Sequence, residues 1–239
     1  MTIVYIISAP SGSGKSTLVN ELRQIVPGLE FSISYTTRAP RGSEQNGHEY
    51  FFVPRADFEE MVREGEFLEH AEVFGNCYGT ALRFLRDAEK NGRDLLLDID
   101  VQGAAQIKQK IPEAVSIFVL PPDRKTLEWR LRKRSQDKED VIQYRLATAS
   151  GEIENYEKYD YILVNDHLED SVEALKAIVL AERLQRSRAT PSGNESRYLG
   201  AAERCRLKNM RNEVQPILKS FKTSPNEGGE CRSGAAGPN

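Results

Sequence analysis

Residues Ala9 to Thr17 read Ala-Pro-Ser-Gly-Ser-Gly-Lys-Ser-Thr and combine close-approaching backbone, a cation and a hydroxyl. A polyphosphate is held by many converging N–H donors, so the chain must come close to it. Gly12 and Gly14 allow this because they lack a Cβ and can take positive φ. Lys15 offers a point charge to β- and γ-phosphates, and the Ser16 hydroxyl can hold Mg²⁺. The pattern departs from Gly-x-x-x-x-Gly-Lys-[Ser/Thr] at one place, where Ala9 stands for the first glycine. A second basic cluster lies in Ser34 to Arg41, Ser-Tyr-Thr-Thr-Arg-Ala-Pro-Arg. Arg38 and Arg41 sit on a segment that Pro40 keeps out of a helix interior, and they form a guanidinium pair suited to a phosphate monoester. Two separate phosphate-binding sets imply phosphoryl transfer between two nucleotides.

Short apolar runs must position these groups. Ile3 to Ile7, Asp94 to Ile99, Ala114 to Leu120 and Tyr161 to Val164 each lead into a helix or turn, as buried parallel strands do. Helical patterns follow at Lys15 to Ile25, Val101 to Lys110, Asp123 to Arg134 and Leu168 to Ser187. The stretch from Ser34 to Gly92 breaks this alternation, with strand-like runs at Tyr50 to Val53 and Phe67 to Phe74 around a helix near Ala56 to Arg63.

Together with Gly42-Ser43-Glu44, Glu49-Tyr50-Phe51-Phe52, Phe67-Leu68-Glu69, Tyr78-Gly79-Thr80, Leu97-Asp98-Ile99-Asp100-Val101-Gln102-Gly103, Pro121-Pro122 and Val164-Asn165-Asp166, these residues resemble the guanylate kinases. The resemblance runs from about Ile3 to Arg188. It implies reversible transfer of the ATP γ-phosphoryl group to GMP, giving ADP and GDP, with Mg²⁺ accompanying ATP. It also implies an α/β fold of the phosphate-loop nucleoside monophosphate kinase type, a parallel sheet core flanked by helices. The expected division is a core at 1–33 and 93–188 with an arginine-rich lid at about 124–146, an inserted mixed α/β GMP-binding domain at 34–92, and a largely disordered extension at 189–239. dGMP as a second acceptor and a homodimer stay open.

Guanine presents N1–H and N2–H₂ as neighbouring donors and O6 as an acceptor, so a selective site pairs a carboxylate with hydroxyl donors. Glu69, Ser34 and Thr80 supply that set. By resemblance Glu69 takes the two donors, Ser34 and Thr80 bond the base, and Asp100 approaches its amino group. Thr80 has a competing role as N-cap of a helix over 81–90. The GMP phosphate falls, again by resemblance, to Arg38, Arg41, Tyr50 and Tyr78, with Glu44 beside the arginines. Asp98 and Asp100 end an apolar strand at the sheet edge where ligands sit, and an acid there can order Mg²⁺ through water. Capping of the next helix is the alternative role.

Arginines crowd the segment from Arg124 to Arg145, and the resemblance selects Arg130, Arg134 and Arg145 for the transferring phosphates, alongside Lys15. Lys133 and Ser135 replace the glycines of the commonest bacterial lid, Arg-Gly-Arg-Gly. Asn165 resembles the position beside the ATP adenine, with a turn residue as its alternative. Phosphate-loop contacts to ATP are expected across Ala9, Pro10, Ser11, Gly12, Ser13, Gly14, Lys15, Ser16 and Thr17.

A chain of 239 residues, 39% hydrophobic, can bury a sizeable core, and a net charge of −3 leaves no global footprint for nucleic acid. No run of 18 or more apolar residues suggests a membrane span, and the amino terminus lacks a signal-peptide pattern. Three scattered cysteines, Cys77, Cys205 and Cys231, suggest reduced thiols. The expectation is a cytoplasmic enzyme of purine nucleotide metabolism. The alternative is a guanylate-kinase-like phosphopeptide-binding module without catalysis, which typically lacks a working phosphate loop.

Overall fold

The computed structural model describes residues 2–73, 75–134, 138–187 and 191–222. The first half runs β1 (Val4–Ser8), α1 (Lys15–Ile25), β2 (Leu29–Phe31), β3 (Tyr35–Thr36), β4 (Phe51–Phe52), α2 (Arg55–Arg63), β5 (Phe67–Val73), β6 (Asn76–Ala81) and α3 (Leu82–Asn91). The second half continues with β7 (Asp94–Asp98), α4 (Val101–Lys110), β8 (Val115–Leu120), α5 (Arg124–Arg134) and α6 (Glu139–Ile153). A 3-10 turn at Glu154–Lys158 then leads to β9 (Tyr161–Val164), α7 (Leu168–Ser187), α8 (Gly193–Arg204) and α9 (Leu207–Lys222).

Five strands form a parallel sheet in the order β2-β7-β1-β8-β9. All five residues of β1 are buried, as a strand covered on both faces requires. Because strand side chains alternate, Tyr5 and Ile7 join Leu18, Leu22, Leu175 and Ile178 on one face. Val4 and Ile6 join Leu95, Leu97, Ile107 and Phe118 on the other. Each fully buried aliphatic side chain contributes about 1.5–3 kcal/mol, so the two layers fix the sheet between its helices. The strand order reverses at β1, and the crevice beyond its carboxyl end is where open α/β sheets bind ligands. Both the Ala9 to Thr17 loop and the acids at the end of β7 open there. This is a phosphate-loop nucleoside monophosphate kinase fold.

A second, mixed sheet in the order β4-β3-β6-β5 stands over that crevice. Aromatic pairs hold it, with Tyr35 stacked on Phe51 at 4.8 Å and Phe58 on Phe67 at 4.6 Å between ring centroids. In β5 the period of two sends Glu69, Ala71 and Val73 toward the crevice. The β5/β6 register shifts between Phe67 and Glu69, so one extra residue redirects the strand next to the site. Helix α3 serves the core instead, since Ala88 is buried in the same cluster as Leu95 and Leu97.

The expected core strands and helices are present to within a residue or two. One core strand escapes the sequence pattern: β2 is three half-buried residues at the sheet edge, too short and too polar at Glu30 to give a periodic signal. The expected strand at Tyr50 to Val53 shrinks to Phe51–Phe52. Phe74, at the end of the expected strand from Phe67, lies outside the described residues.

The carboxyl-terminal segment requires a correction. Composition predicts that 189–239 is largely disordered, with only weak helical character from Arg197 to Phe221, but Gly193–Arg204 and Leu207–Lys222 form two docked helices. Ser192 and Glu195 make a reciprocal capping box that starts α8, so the polar stretch that resembles a linker is helix-start chemistry. In α9, Met210, Val214 and Ile217 recur at helical spacing and are buried against the Val4 face of the core. Between the two helices the chain pairs with β9, Ile162 N donating to Cys205 O at 2.8 Å and Leu207 N to Asp160 O at 3.1 Å. Arg206 lies 4.2 Å over the Tyr161 ring and ion-pairs with buried Glu182 at 3.0 Å. The segment 223–239, also expected to be disordered, lies outside the described residues. Cys77 and Cys205 are free thiols, and no helix among the described residues is long and apolar enough to cross a membrane.

Candidate active site

The loop after β1 adopts the conformation its glycines predict. Gly12 and Gly14 have φ of 93° and 92°, and Gly14 opens α1 in the left-handed region. Ser13 N donates to Pro10 O at 3.1 Å, closing the turn. A side chain on Gly14 would collide with the Asn165 amide, whose Nδ2 donates to Ser13 O at 2.7 Å. Asn165 therefore braces the loop from beneath, and its amide is engaged with Ser13 at the position expected to face adenine. Lys15 Nζ ion-pairs with Asp98 and donates to Ile99 O at 3.1 Å.

A cavity of about 720 Å³ extends from this loop to β5. Its wall includes Ala9 through Ser16 on one side and Ser34, Arg38, Arg41, Glu44, Tyr50, Glu69 and Tyr78 on the other, with Asp98, Asp100 and Arg145 between. Thr17, Thr80, Arg130 and Asn165 stand off that wall. The Arg134 side chain lies outside the described residues, as do Ser135 to Asp137 of the expected lid.

Glu69 is 3% exposed at the far end. Burial pushes its pKa up to about 7; Thr80 favours the ionised form and Asp100 opposes it. Thr80 Oγ1 itself is buried beside the carboxylate without closing a hydrogen bond. The alternative role for Thr80 is corrected, because α3 begins at Leu82 with Ala81 at its cap position. Asp100 does cap α4, its Oδ1 accepting from Gly103 N at 2.9 Å, and it also lines the cavity. The helix-cap role is thus observed, and it does not remove the carboxylate from the cavity wall.

Gly103 has a function in this arrangement that follows from its missing Cβ. A carbon there would lie 2.5 Å from Glu69 Oε2 and 3.0 Å from Glu69 Cδ. Gly103→Ala should therefore push the carboxylate out of place, lowering kcat/KM for a guanine nucleotide about 10- to 100-fold, a loss of one charge-assisted interaction. The KM for ATP should hardly change, which steady-state kinetics with each substrate varied in turn can check.

The second basic set is built around Arg38, whose Nη2 donates to both Glu44 oxygens at 3.0 and 2.9 Å. Glu44 also accepts from the Arg41 backbone N–H at 2.8 Å, so a single carboxylate holds the Arg38 guanidinium and the main chain at Arg41. The Tyr50 phenol remains a donor throughout the physiological range, because burial, then Asp98 and Tyr78, push its pKa up to about 12. Tyr50 and Tyr78 meet edge to face at 5.8 Å. Two guanidinium groups and two phenols thus face one part of the cavity.

Helices α5 and α6 pack together through Leu127, Leu131, Ile142, Leu146 and Ala149. Arg130 donates to Asn165 O at 2.9 Å and to Ser13 O at 3.4 Å, reaching the loop backbone rather than the cavity. On the same helix the chain's one tryptophan, Trp129, is 58% exposed, with Lys133 Nζ 4.7 Å from its ring centroid. Glu152, which no sequence motif singles out, also lines the cavity. Burial pushes its pKa up to about 7; Lys15 holds it down, Asp100 raises it and the Ser11 backbone N–H lowers it. The available signal was its spacing, two helical turns beyond Arg145 and so on the same face of α6. Among the described residues no group of three or more His, Cys, Asp or Glu side chains could hold a metal ion by itself.

The comparisons with known proteins agree with this geometry. A family model described as guanylate kinase matches residues 1–182. The guanylate kinase of Koribacter versatilis (strain Ellin345) is 63% identical over 222 residues, covering 92% of this chain and 95% of that protein. That of Escherichia coli (strain K12) is 50% identical over 187 residues, 77% of this chain and 90% of that one. A crystal structure of guanylate kinase from Anaplasma phagocytophilum superimposes with a TM-score of 0.65 at 36% identity, covering 77% of this chain and 87% of that chain. With a phosphate loop facing a buried carboxylate across one cleft, and this likeness over most of its length, the chain belongs to the guanylate kinase family.

Proposed function

We propose that this enzyme transfers the γ-phosphoryl group of ATP to GMP, with ADP and GDP as products. The observation that carries the reading is the single cavity that joins the phosphate loop, the Arg38/Arg41 pair and buried Glu69. Lys15 and the loop N–H groups bind the ATP phosphates, and Arg38, Arg41, Tyr50 and Tyr78 bind the GMP phosphate. Glu69, when ionised, accepts from guanine N1–H and N2–H₂, with Ser34 and Thr80 as hydroxyl partners. Adenine would leave that carboxylate buried and unpaired. Phosphoryl transfer asks a protein for alignment and charge stabilisation rather than covalent chemistry; Arg145 on the cavity wall and Arg130 at the loop backbone add positive charge near the transfer path, and Arg134 is assigned to the same task by the resemblance alone.

The donor set fits Mg²⁺, because the Ser16 hydroxyl is a hard oxygen ligand and the Asp98 carboxylate on the same cavity wall can order the waters of the ion. The ion would neutralise charge on the ATP phosphate oxygens. The phosphopeptide-module reading has no use for Lys15 held at the loop by Asp98. Reduced cysteines accord with a cytoplasmic setting.

The test is a coupled assay with ATP and GMP, AMP, CMP or UMP. GMP should exceed AMP in kcat/KM by roughly 10⁴-fold, as sites built around a buried polar partner achieve. Comparable turnover of AMP would overturn the guanine assignment.

A further inference from the structure

We infer that the carboxyl-terminal helix α9 is a positioning element of the transfer site, acting through α5 on the phosphate loop. The inference rests on the proposed kinase activity, and it concerns a segment beyond residues 1–182, the stretch that the family model matches.

The start of α5 is held by two side chains. Asp123 Oδ1 accepts from Thr126 N at 2.6 Å, an ordinary local cap. Ser220 Oγ, 96 positions further along, accepts from Arg124 N at 3.1 Å. An orphan N–H of α5 is thus satisfied from the end of α9. One residue on, Phe221 packs against Leu127, Leu131, Ile142, Leu146 and Ala149, the apolar seam of α5 and α6. The same ring touches the core cluster that includes Met210, Val214 and Ile217. Phe221 therefore ties the seam between the arginine-bearing helices to the main body of the fold.

From that seam the contacts continue to the loop. Leu127, Arg130 and Leu131 lie on one face of α5, at i, i+3 and i+4. A Cβ on Gly12 would sit 2.8 Å from Leu131 Cδ2 and 3.1 Å from Leu127 Cδ1, so these leucines rest directly on the loop. Between them Arg130 donates to Ser13 O. Close packing transmits small displacements, since a tightly filled interior has few voids to absorb them. A shift of α5 moves the roof of the loop and Arg130 together. The proposed GMP-side groups Glu69 and Tyr78 lie in the other sheet, and Arg38 follows its strand β3, so none of them rests on α5.

The experiment uses the full-length chain carrying Phe221→Ala, with Phe221→Leu as the conservative variant. Phe221→Ala should lower kcat about tenfold, given that a misplacement of about 1 Å can cost up to about 10²-fold. The KM for GMP should stay within about twofold, since uniform binding of the acceptor is untouched. Phe221→Leu should recover most of the rate. An unchanged kcat in Phe221→Ala would overturn the inference. So would a parallel loss of GMP binding and thermal stability, because α9 would then support the whole fold and not the transfer site. The parent is assayed alongside with ATP and GMP. Its failure to turn over would overturn the kinase reading itself, whereas an active parent with an equally active variant would remove only the role of α9.

Discussion

Lys15→Ala is expected to lower kcat by about 10²–10³-fold, the usual cost of removing one preorganised group that stabilises developing charge. In the fold described above Lys15 is half-buried at the first turn of α1, held between Asp98 and the Ile99 carbonyl. That pairing sets the ammonium at the loop before nucleotide arrives, so little reorganisation is needed on binding. The loss should fall mainly on kcat, because the charge matters most as negative charge builds on the transferring group. Some stability should go as well. Without the ammonium, Asp98 and Glu152 lose a countercharge on the same cavity wall. GMP affinity, measured by calorimetry, should be close to that of the parent, since Arg38 and Glu69 lie across the cleft. Near-normal turnover by a folded Lys15→Ala protein would sink the transfer mechanism.

Glu69→Gln should cost about 2–4 kcal/mol, roughly 30- to 1,000-fold in kcat/KM for GMP, because a donor then faces a donor in a desolvated site. Ser34→Ala should be milder, at about 0.5–1.5 kcal/mol for a neutral hydrogen bond. The pH dependence follows from the pKa of about 7 that burial gives Glu69. Guanine needs the ionised form, so the KM for GMP should rise as pH falls below about 7, while Glu69→Gln should lack that limb. Stability moves in the opposite sense. The unfolded chain releases this proton near its ordinary value of 4.5, whereas the fold keeps it to about 7. The folded state therefore binds more protons in that window, and its stabilisation, complete below 4.5, is lost as pH rises through 7. Gln cannot ionise. The variant should thus melt above the parent at pH 8 and show no such gain at pH 5, which differential scanning calorimetry can measure. Glu152 titrates in the same range but is common to both proteins and cancels in the difference. A carboxylate that weakens the empty fold and strengthens substrate binding exchanges stability for selectivity.

Legibility from sequence tracked how local each signal was. The phosphate loop and the buried strands could be read directly, because Gly12, Gly14 and runs such as Leu95 to Leu97 encode their roles in adjacent residues. Residue chemistry plus resemblance selects Glu69 and Ser34, and both line the cavity. Yet why Glu69 can occupy it depends on Gly103, on an element elsewhere in sequence, and no local pattern announces that match of shapes. Glu152 was missed because a lone glutamate in an amphipathic helix normally faces water. Its position in the cleft depends on α6 crossing the loop. The motif at Asn165 leaves an adenine contact and a turn residue open, and it does not announce that the amide donates to Ser13 O in the loop. The tail was misread for a different reason. Polar composition hides the Ser192/Glu195 spacing, which is that of a helix cap, and α9 finds its stability in tertiary burial rather than local propensity.

The exposed indole of Trp129 gives α5 an optical property. An indole under a lysine ammonium and open to water emits with a yield and wavelength set by both, and the sequence contains no second indole to obscure it. Any movement of α5 that draws Trp129 out of solvent or separates it from Lys133 should change the emission of the unlabelled protein. Stopped-flow fluorescence with an unreactive ATP analogue can therefore time the helix movement in the absence of bond transfer. Comparison with the chemical quench of a single turnover would show whether motion or chemistry sets the pace of the enzyme.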